Sequence, residues 1–89
     1  MTSVNIPTAF RSHTAGQRKI HIGAVDVGSL LNELTTKHPA LREHLFDGDA
    51  LLSFVNIFVN DQNIRDLDGM ATTLSDRDDV FLVPAMAGG

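Results

Sequence analysis

One segment with helical periodicity, flanked on both sides by strand-like segments, limits this chain to few folds. The apolar residues of that segment recur at the spacing of an amphipathic helix: Val27, Leu30, Leu31 and Leu34. Asp26 is a residue type that caps helix N-termini, and Pro39 requires the helix to end near His38. The sequence therefore predicts one main helix between Asp26 and His38.

The segments around the helix alternate apolar and polar residues with the period of two that half-buried strands have. Two strands precede the helix, at residues 4–6 and 19–22, with a polar hairpin loop at 12–17. A short helical turn with Leu41 and Leu45 follows the helix. Residues 54–59 are the clearest strand, a short strand surrounds Ile64, and residues 80–83 form the last strand. In the irregular segment 66–74 we expect Leu67, Met70 and Leu74 to turn inward.

This β-β-α-β-β-β order predicts an α+β protein in which one mixed sheet packs on one main helix. The first hairpin is local, so the last strand has to pair with a distant segment. A β-grasp, or ubiquitin-like, fold meets both conditions by inserting the last strand beside the first. We expect residues 1–84 to form one β-grasp domain and residues 85–89 to form a flexible C-terminal diglycine tail.

Small uncharged residues end the sequence, in the order Pro84-Ala85-Met86-Ala87-Gly88-Gly89. Glycine has no Cβ, so the last two residues can enter a narrow channel and adopt backbone angles closed to other residues. A terminal carboxylate is ionised at neutral pH, and it becomes an acyl donor once adenylation by ATP supplies a leaving group. Chance or an expression-derived addition would also explain two glycines, but neither explains the small residues that follow Pro84.

Composition narrows the possible partners of such a tail. The chain has no glycine-rich loop with a lysine that would bind ATP, so activation requires a partner enzyme, and we expect a carrier or modifier rather than an enzyme. The net charge is −4 and the basic residues are scattered, which argues against nucleic acid. No apolar run approaches the roughly 20 residues of a membrane span, and the N-terminus lacks signal-peptide features, so we expect a cytoplasmic protein. Cysteine is absent, which excludes disulfides and thiolate metal sites.

Two stretches carry a resemblance to a known family. Residues 54–61 (FVNIFVND) and 82–89 (LVPAMAGG) resemble the ThiS/MoaD family of ubiquitin-like sulfur carrier proteins, and most of all its CysO type, which supplies sulfur for cysteine biosynthesis. The similarity extends over nearly the whole chain. Molybdopterin-synthase small subunits typically have a second proline where Ala85 stands, and thiamine-type carriers lack the 41–53 segment. The turn Asp76-Arg77-Asp78 departs from the Asp-Gly-Asp of many relatives, so a different turn type is expected there.

The resemblance implies a mechanism based on Gly89. An E1-like adenylyltransferase would adenylate Gly89 with its own bound ATP, and a sulfurtransferase or sulfide would convert the product into a thiocarboxylate. An acceptor enzyme such as a cysteine synthase would then recognise the tail through Gly88, Ala87 and Met86. The resemblance implies no bound cofactor. Sulfur transfer to molybdopterin or to a sulfur-containing secondary metabolite remains open, as do a ubiquitin-like protein modifier and a passive β-grasp binding module.

Strand parity also predicts a docking patch. If the apolar residues Val55, Ile57, Val80 and Leu82 face the helix, the alternate residues face outward. Those alternate residues are Phe58, Phe81 and Val83, and Phe54 joins them if its strand stays regular. Aromatic side chains on a solvent face beside a reactive tail favour a partner-docking patch. The alternatives are ordinary exposed apolar residues, or a patch covered by the segment 41–53.

No metal site is expected. The four histidines have no helical or zinc-binding spacing, so we expect them on the solvated surface: His13, His21, His38 and His44. Asp66, Asp68 and Gly69 resemble part of a calcium loop, but Arg77 stands where that loop needs a glutamate.

Overall fold

The computed structural model describes residues 1–84, and its longest element is the predicted helix. Helix α1 spans Val27–Lys37. The carboxylate of Asp26 accepts a hydrogen bond of 2.8 Å from the backbone N–H of Ser29, which satisfies one of the free N–H groups of the first turn. A 3-10 helix at Pro39–Leu41 and a short helix α2 at Arg42–Leu45 follow directly, as the sequence predicts.

Five strands of the described residues form one sheet, and two shorter strands form a separate hairpin. In chain order the strands are β1 Thr2–Asn5, β2 Lys19–Ile22, β3 Phe46–Asp47, β4 Ala50–Leu51, β5 Val55–Val59, β6 Gln62–Asn63 and β7 Asp79–Pro84. The sheet order is β2-β1-β7-β5-β6. Strand β7 runs parallel to β1 and antiparallel to β5. The last strand is therefore inserted beside the first, and the predicted β-grasp fold is confirmed.

The hydrophobic core lies between α1 and one face of this sheet. The apolar residues of the helix are fully buried, which confirms its predicted amphipathic stripe. From the sheet, the core receives Val4, Ile20, Ile22, Val55, Ile57, Val80 and Leu82. Leu41 and Leu45, from the segment after α1, close the core at one side. Neither α1 nor α2 combines the length and apolarity that a membrane-spanning helix needs.

Two connections contain secondary structure that the sequence does not predict. The link between β1 and β2 contains a 3-10 helix at Thr8–His13, which buries Phe10 in the core. The segment around Gly48, for which the sequence predicts no strand, forms the β3–β4 hairpin, and Gly48 in its turn has a φ of +63°. Both pieces are too short to produce a readable periodicity.

The prediction that Leu67 turns inward is wrong. Its side chain is 38% exposed, whereas Ile64 is almost fully buried. The physical reason is local, because a 3-10 helix at Ile64–Asp66 follows β6 and turns Ile64, rather than Leu67, toward the core. Met70 and Leu74 pack against the core as predicted.

Candidate functional site

Strand β7 ends at Pro84, which is also the last residue that the structure describes. Strand β7 has a neighbour on each side, and its last residue, Pro84, pairs with Val55 at the start of β5. The predicted tail residues Met86, Ala87, Gly88 and Gly89 lie outside the described residues. Residue 84 is thus a fixed point from which five further residues lead to Gly89.

The outer face of the sheet has the parity that the sequence predicts. Val80 and Leu82 are buried under α1, while Phe81 and Val83 are 38% and 41% exposed. Phe58, on β5, lies directly opposite Phe81 and is half-buried. Phe58, Phe81 and Val83 therefore share the face away from the helix, and we call these three residues the outer patch.

Polar side chains border the outer patch at its edges. On one side, the Asn5 amide donates a 3.2 Å hydrogen bond to the carbonyl of Val80. On the other side, the side-chain carbonyl oxygen of Asn56 accepts hydrogen bonds from the side chains of Asn63 and Arg65. These bonds connect neighbouring strands, so the backbone under the outer patch is held rigidly.

Arg65 is a component of this border that sequence reasoning missed. Its guanidinium also donates 3.1 Å hydrogen bonds to the carbonyls of Ser53 and Val55, where β5 begins. A single arginine in a turn gives no sequence signal for such a role. Its hydrogen-bond partners among residues 1–84 are neutral carbonyl oxygens.

Phe54 lies apart from the outer patch. Strand β5 begins at Val55, and the backbone N–H of Val55 bonds to the carbonyl of Leu52 at 3.1 Å, so Phe54 belongs to a turn. Phe54 was expected to join the outward-facing residues only if its strand stayed regular, and the strand does not include Phe54. It lines a pocket instead, and we call this the foot pocket because Pro84 forms one wall.

The foot pocket has a volume of about 230 Å³. It is lined by Ala9, Phe10, Glu43, His44, Leu52, Phe54 and Pro84. Residues from the link after β1, from α2 and from the turn before β5 thus meet at the end of β7. Strand alternation cannot predict this meeting, because most of the lining comes from connections.

Two of the four histidines are not independent surface groups. The rings of His13 and His44 stack with centroids 4.4 Å apart, and Phe10 lies 5.8 Å from His44 on the pocket side. Both histidines are half-buried, while His21 is exposed. Among residues 1–84, no group of three histidine or carboxylate side chains could hold a metal ion.

The turn before β7 is held by Asp78. Its carboxylate accepts hydrogen bonds from the backbone N–H of Ser75, at 2.8 Å, and from the Asn60 amide, at 3.0 Å. The Ser75 bond, followed by the Asn60 bond, lowers the pKa of Asp78 from its ordinary value. This turn needs no glycine, because Arg77 does not have the positive φ that glycine adopts most easily.

A β-grasp domain whose central last strand leads into a diglycine sequence defines the class of ubiquitin-like carrier and modifier proteins. The comparison with protein families places the chain within this class. It belongs to the ThiS family, whose model matches residues 4–89.

The relatives agree with this assignment. The chain is 38% identical to the sulfur carrier protein CysO of Mycobacterium tuberculosis, over 98% of this chain and 97% of the relative. It is 35% identical to the small archaeal modifier protein 3 of Haloferax volcanii, over 83% and 84%. Among solved structures, a chain of the Amycolatopsis orientalis BexX/CysO complex matches with a TM-score of 0.92 at 29% identity, covering all of both chains.

Proposed function

We propose that this chain carries sulfur as a thiocarboxylate on Gly89 and delivers it to an acceptor enzyme. The observation that carries the proposal is the ThiS-family match, which extends through Gly89 itself. The relative with 38% identity is named a sulfur carrier, and it aligns over nearly its whole length. The fold supports the proposal by ending its central strand five residues before Gly89.

Loading takes two steps, and the E1-like enzyme provides the ATP. A carboxylate oxygen of Gly89 attacks the α-phosphorus of ATP, and pyrophosphate leaves. Sulfide, or a sulfurtransferase persulfide whose S–S bond a thiol then reduces, attacks the carbonyl carbon, and AMP leaves with its electron pair. Delivery follows when the thiocarboxylate sulfur attacks an electrophilic carbon of the substrate. The sulfur either adds across a double bond, whose other carbon takes up a proton, or displaces a leaving group that departs with its electron pair. Hydrolysis of the resulting thioester then releases the sulfur product and regenerates the carboxylate.

In this scheme the described residues position the tail and bind partners, and they perform no bond-breaking step. The outer patch offers two aromatic rings and a valine on the strand that ends at Pro84 and on its neighbour β5, and aromatic anchors dominate many interfaces. We therefore assign docking of the activating or acceptor enzyme to Phe58, Phe81 and Val83. Phe54 would take part through the foot pocket rather than through the sheet face.

The proposed acceptor is an enzyme of cysteine biosynthesis, because the CysO relative aligns over nearly the whole chain. Ala85, where molybdopterin-synthase subunits typically have proline, supports this choice over molybdopterin. Transfer to a sulfur-containing secondary metabolite is the alternative acceptor pathway.

Intact-protein mass spectrometry tests the proposal. The chain is incubated with ATP, an E1-like adenylyltransferase and sulfide, and its mass is expected to rise by the replacement of one oxygen by sulfur. Omission of ATP is the control. A chain whose mass stays unchanged under all loading conditions would contradict the carrier function.

The similarity to a small archaeal modifier protein supports a second candidate, attachment of Gly89 to lysines of other proteins. Trypsin distinguishes this function, because Arg77 is the last basic residue of the sequence. A conjugated lysine would carry residues 78–89 as a branch after digestion. Detection of such branched peptides in cells, and their loss without Gly89, would establish the modifier function.

A further inference from the structure

The foot pocket is sized and lined for a side chain. Its volume of about 230 Å³ is smaller than the roughly 300–1,000 Å³ of typical small-molecule sites. Ala9, Phe10, Leu52, Phe54 and Pro84 make its lining mainly apolar. An aliphatic or aromatic side chain fits this chemistry, whereas a nucleotide would find no cation or glycine-rich loop there.

The walls of the foot pocket are fixed by the fold. Phe10 is 5% exposed because it also belongs to the hydrophobic core. The backbone N–H of Leu52 donates a 2.8 Å hydrogen bond to the carbonyl of Leu45, which ties the pocket to α2. His44 is held between Phe10 and His13 by ring contacts. A pocket with its shape already formed costs little ordering entropy when it is filled.

The distance from Pro84 to Gly89 determines what reaches the foot pocket. Five residues span at most about 18 Å when fully extended. An enzyme that holds Gly89 at the α-phosphorus of its bound ATP must therefore bring its surface to within that distance of Pro84. Pro84 is a wall of the foot pocket, so the pocket lies within reach of an enzyme surface that approaches this closely.

We propose that the foot pocket receives an apolar side chain of the activating enzyme, flanked by a basic residue that pairs with Glu43. The Glu43 side chain is 80% exposed at the pocket rim, and its carboxylate lies 3.7 Å from Nε2 of the neighbouring His44. The neighbouring Arg42 lies over the Phe46 ring, 5.1 Å from its centroid. This inference rests on the proposed function and adds a second anchor, separate from the outer patch.

The first test places a larger side chain at the rim of the foot pocket. Ala9 is an exposed residue of a 3-10 helix, so Ala9→Phe adds a ring without removing a core contact. Ala71→Phe is the matched control, because Ala71 is also an exposed alanine in a 3-10 helix. In the thiocarboxylate-loading assay, Ala9→Phe is expected to raise KM for the carrier about tenfold or more, with kcat unchanged. Ala71→Phe is expected to match the wild type.

Charge reversal provides a second variant that leaves the pocket interior intact. The wild-type KM is expected to rise with salt, because salt screens the attraction between Glu43 and the basic partner residue. Glu43→Lys is expected to raise KM at low salt and to reverse this salt dependence, because salt then screens a repulsion. Glu33→Lys makes the same change at an exposed site on α1 and is expected to leave KM unchanged. Circular dichroism checks whether each of the four variants is folded before its KM is compared.

The outcomes separate this proposal from the proposed function. If the wild type is loaded but neither Ala9→Phe nor Glu43→Lys raises KM, the foot pocket is not an anchor and the carrier function stands. A lowered KM for Ala9→Phe would also overturn the proposal, because the occupant would then be the chain's own residues 85–89. If the wild type is not loaded, the carrier function fails and this proposal fails with it.

Discussion

At the scale of single residues, Asp78 shows how a carboxylate can hold a turn that many relatives build with glycine. Its carboxylate oxygens accept hydrogen bonds from the backbone N–H of Ser75 and from the side-chain amide of Asn60. The side-chain carbonyl oxygen of Asn60 in turn accepts a 3.1 Å hydrogen bond from the backbone N–H of Asp79. Asn60 has a φ of +58°, a conformation that asparagine tolerates better than most residues. The turn before β7 and the turn after β5 are thus joined by two polar side chains.

The lowered pKa of Asp78 predicts how this contribution depends on pH. A carboxyl group whose folded pKa lies below its ordinary value of 3.8 stabilises the folded state above that value. The contribution is lost as the pH falls through the folded pKa. The difference in free energy of unfolding between wild type and Asp78→Asn is therefore expected to be constant above about pH 5 and to shrink below about pH 4. Urea unfolding at several pH values measures this difference.

Asp61→Asn is the control for that series, because Asp61 is an exposed carboxylate in the turn after β5. Its stability difference from the wild type should vary less with pH. Equal pH dependence for Asp61→Asn and Asp78→Asn would show that the hydrogen bonds to Ser75 and Asn60 contribute no more than net charge does.

Residues that act locally were easier to predict than those that act across the chain. Asp26 was identified as a helix cap because its role depends on the three residues that follow it. Arg65 was missed because its partners at positions 53, 55 and 56 lie on a neighbouring segment. His13 and His44 stack across 31 positions of sequence, and no spacing rule predicts such a contact.

At the scale of elements, periodicity predicted those long enough to show it. Helix α1 and strands β5 and β7 show their buried stripes directly, so their inner and outer faces were predicted correctly. The hairpin of β3 and β4 has two-residue strands, and the 3-10 helices have three to six residues. Such pieces complete at most two helical turns or one alternation of a strand. The foot pocket is built from them, and for that reason the sequence did not reveal it.

The packing of α1 predicts a large contrast between adjacent positions. Leu31 is fully buried, so Leu31→Ala is expected to lower the free energy of unfolding by about 2–5 kcal/mol. Asn32 is exposed on the opposite side, and Asn32→Ala is expected to stay within about 0.5 kcal/mol of the wild type. Urea unfolding at neutral pH measures both variants. Similar losses for the two would contradict the helical face assignment.

The two faces of β7 predict an equally sharp contrast. Leu82 is 3% exposed, and Leu82→Asp buries a charge without a partner, so this variant is expected to be unfolded. Phe81→Asp and Phe58→Asp change the outer patch, and both are expected to remain folded but to bind the activating or acceptor enzyme more weakly. Circular dichroism reports folding and a pull-down reports binding. A folded Leu82→Asp together with an unfolded Phe81→Asp would reverse the face assignment.

At the scale of the whole molecule, the topology was predictable because few arrangements satisfy the element order. A local hairpin and one crossing helix leave the last strand to pair with the first, and Val4 does lie beside Val80 in parallel register. This parallel pair makes β7 a central strand, buried between two neighbours. Strand β7 is paired on both sides at residues 79–81, and its last residues, as far as Pro84, are held by their pairing with β5.

The proposed carrier function predicts that Gly89 is needed for thiocarboxylate loading and not for folding. Deleting Gly89 withdraws the terminal carboxylate by up to about 3.5 Å, and a misplacement of about 1 Å can cost roughly 10²-fold in rate. Gly89→Ala adds a Cβ that would collide with a channel shaped for glycine. Both variants are expected to lose thiocarboxylate formation. Their urea-unfolding midpoints are expected to match the wild type, because the last core residue among residues 1–84 is Leu82. Gly23→Ala is the matched control, since a Cβ at Gly23 meets no atom within 4 Å. Mass spectrometry over a time course measures loading, and a chain that lacks Gly89 yet loads at the wild-type rate would refute the carrier function.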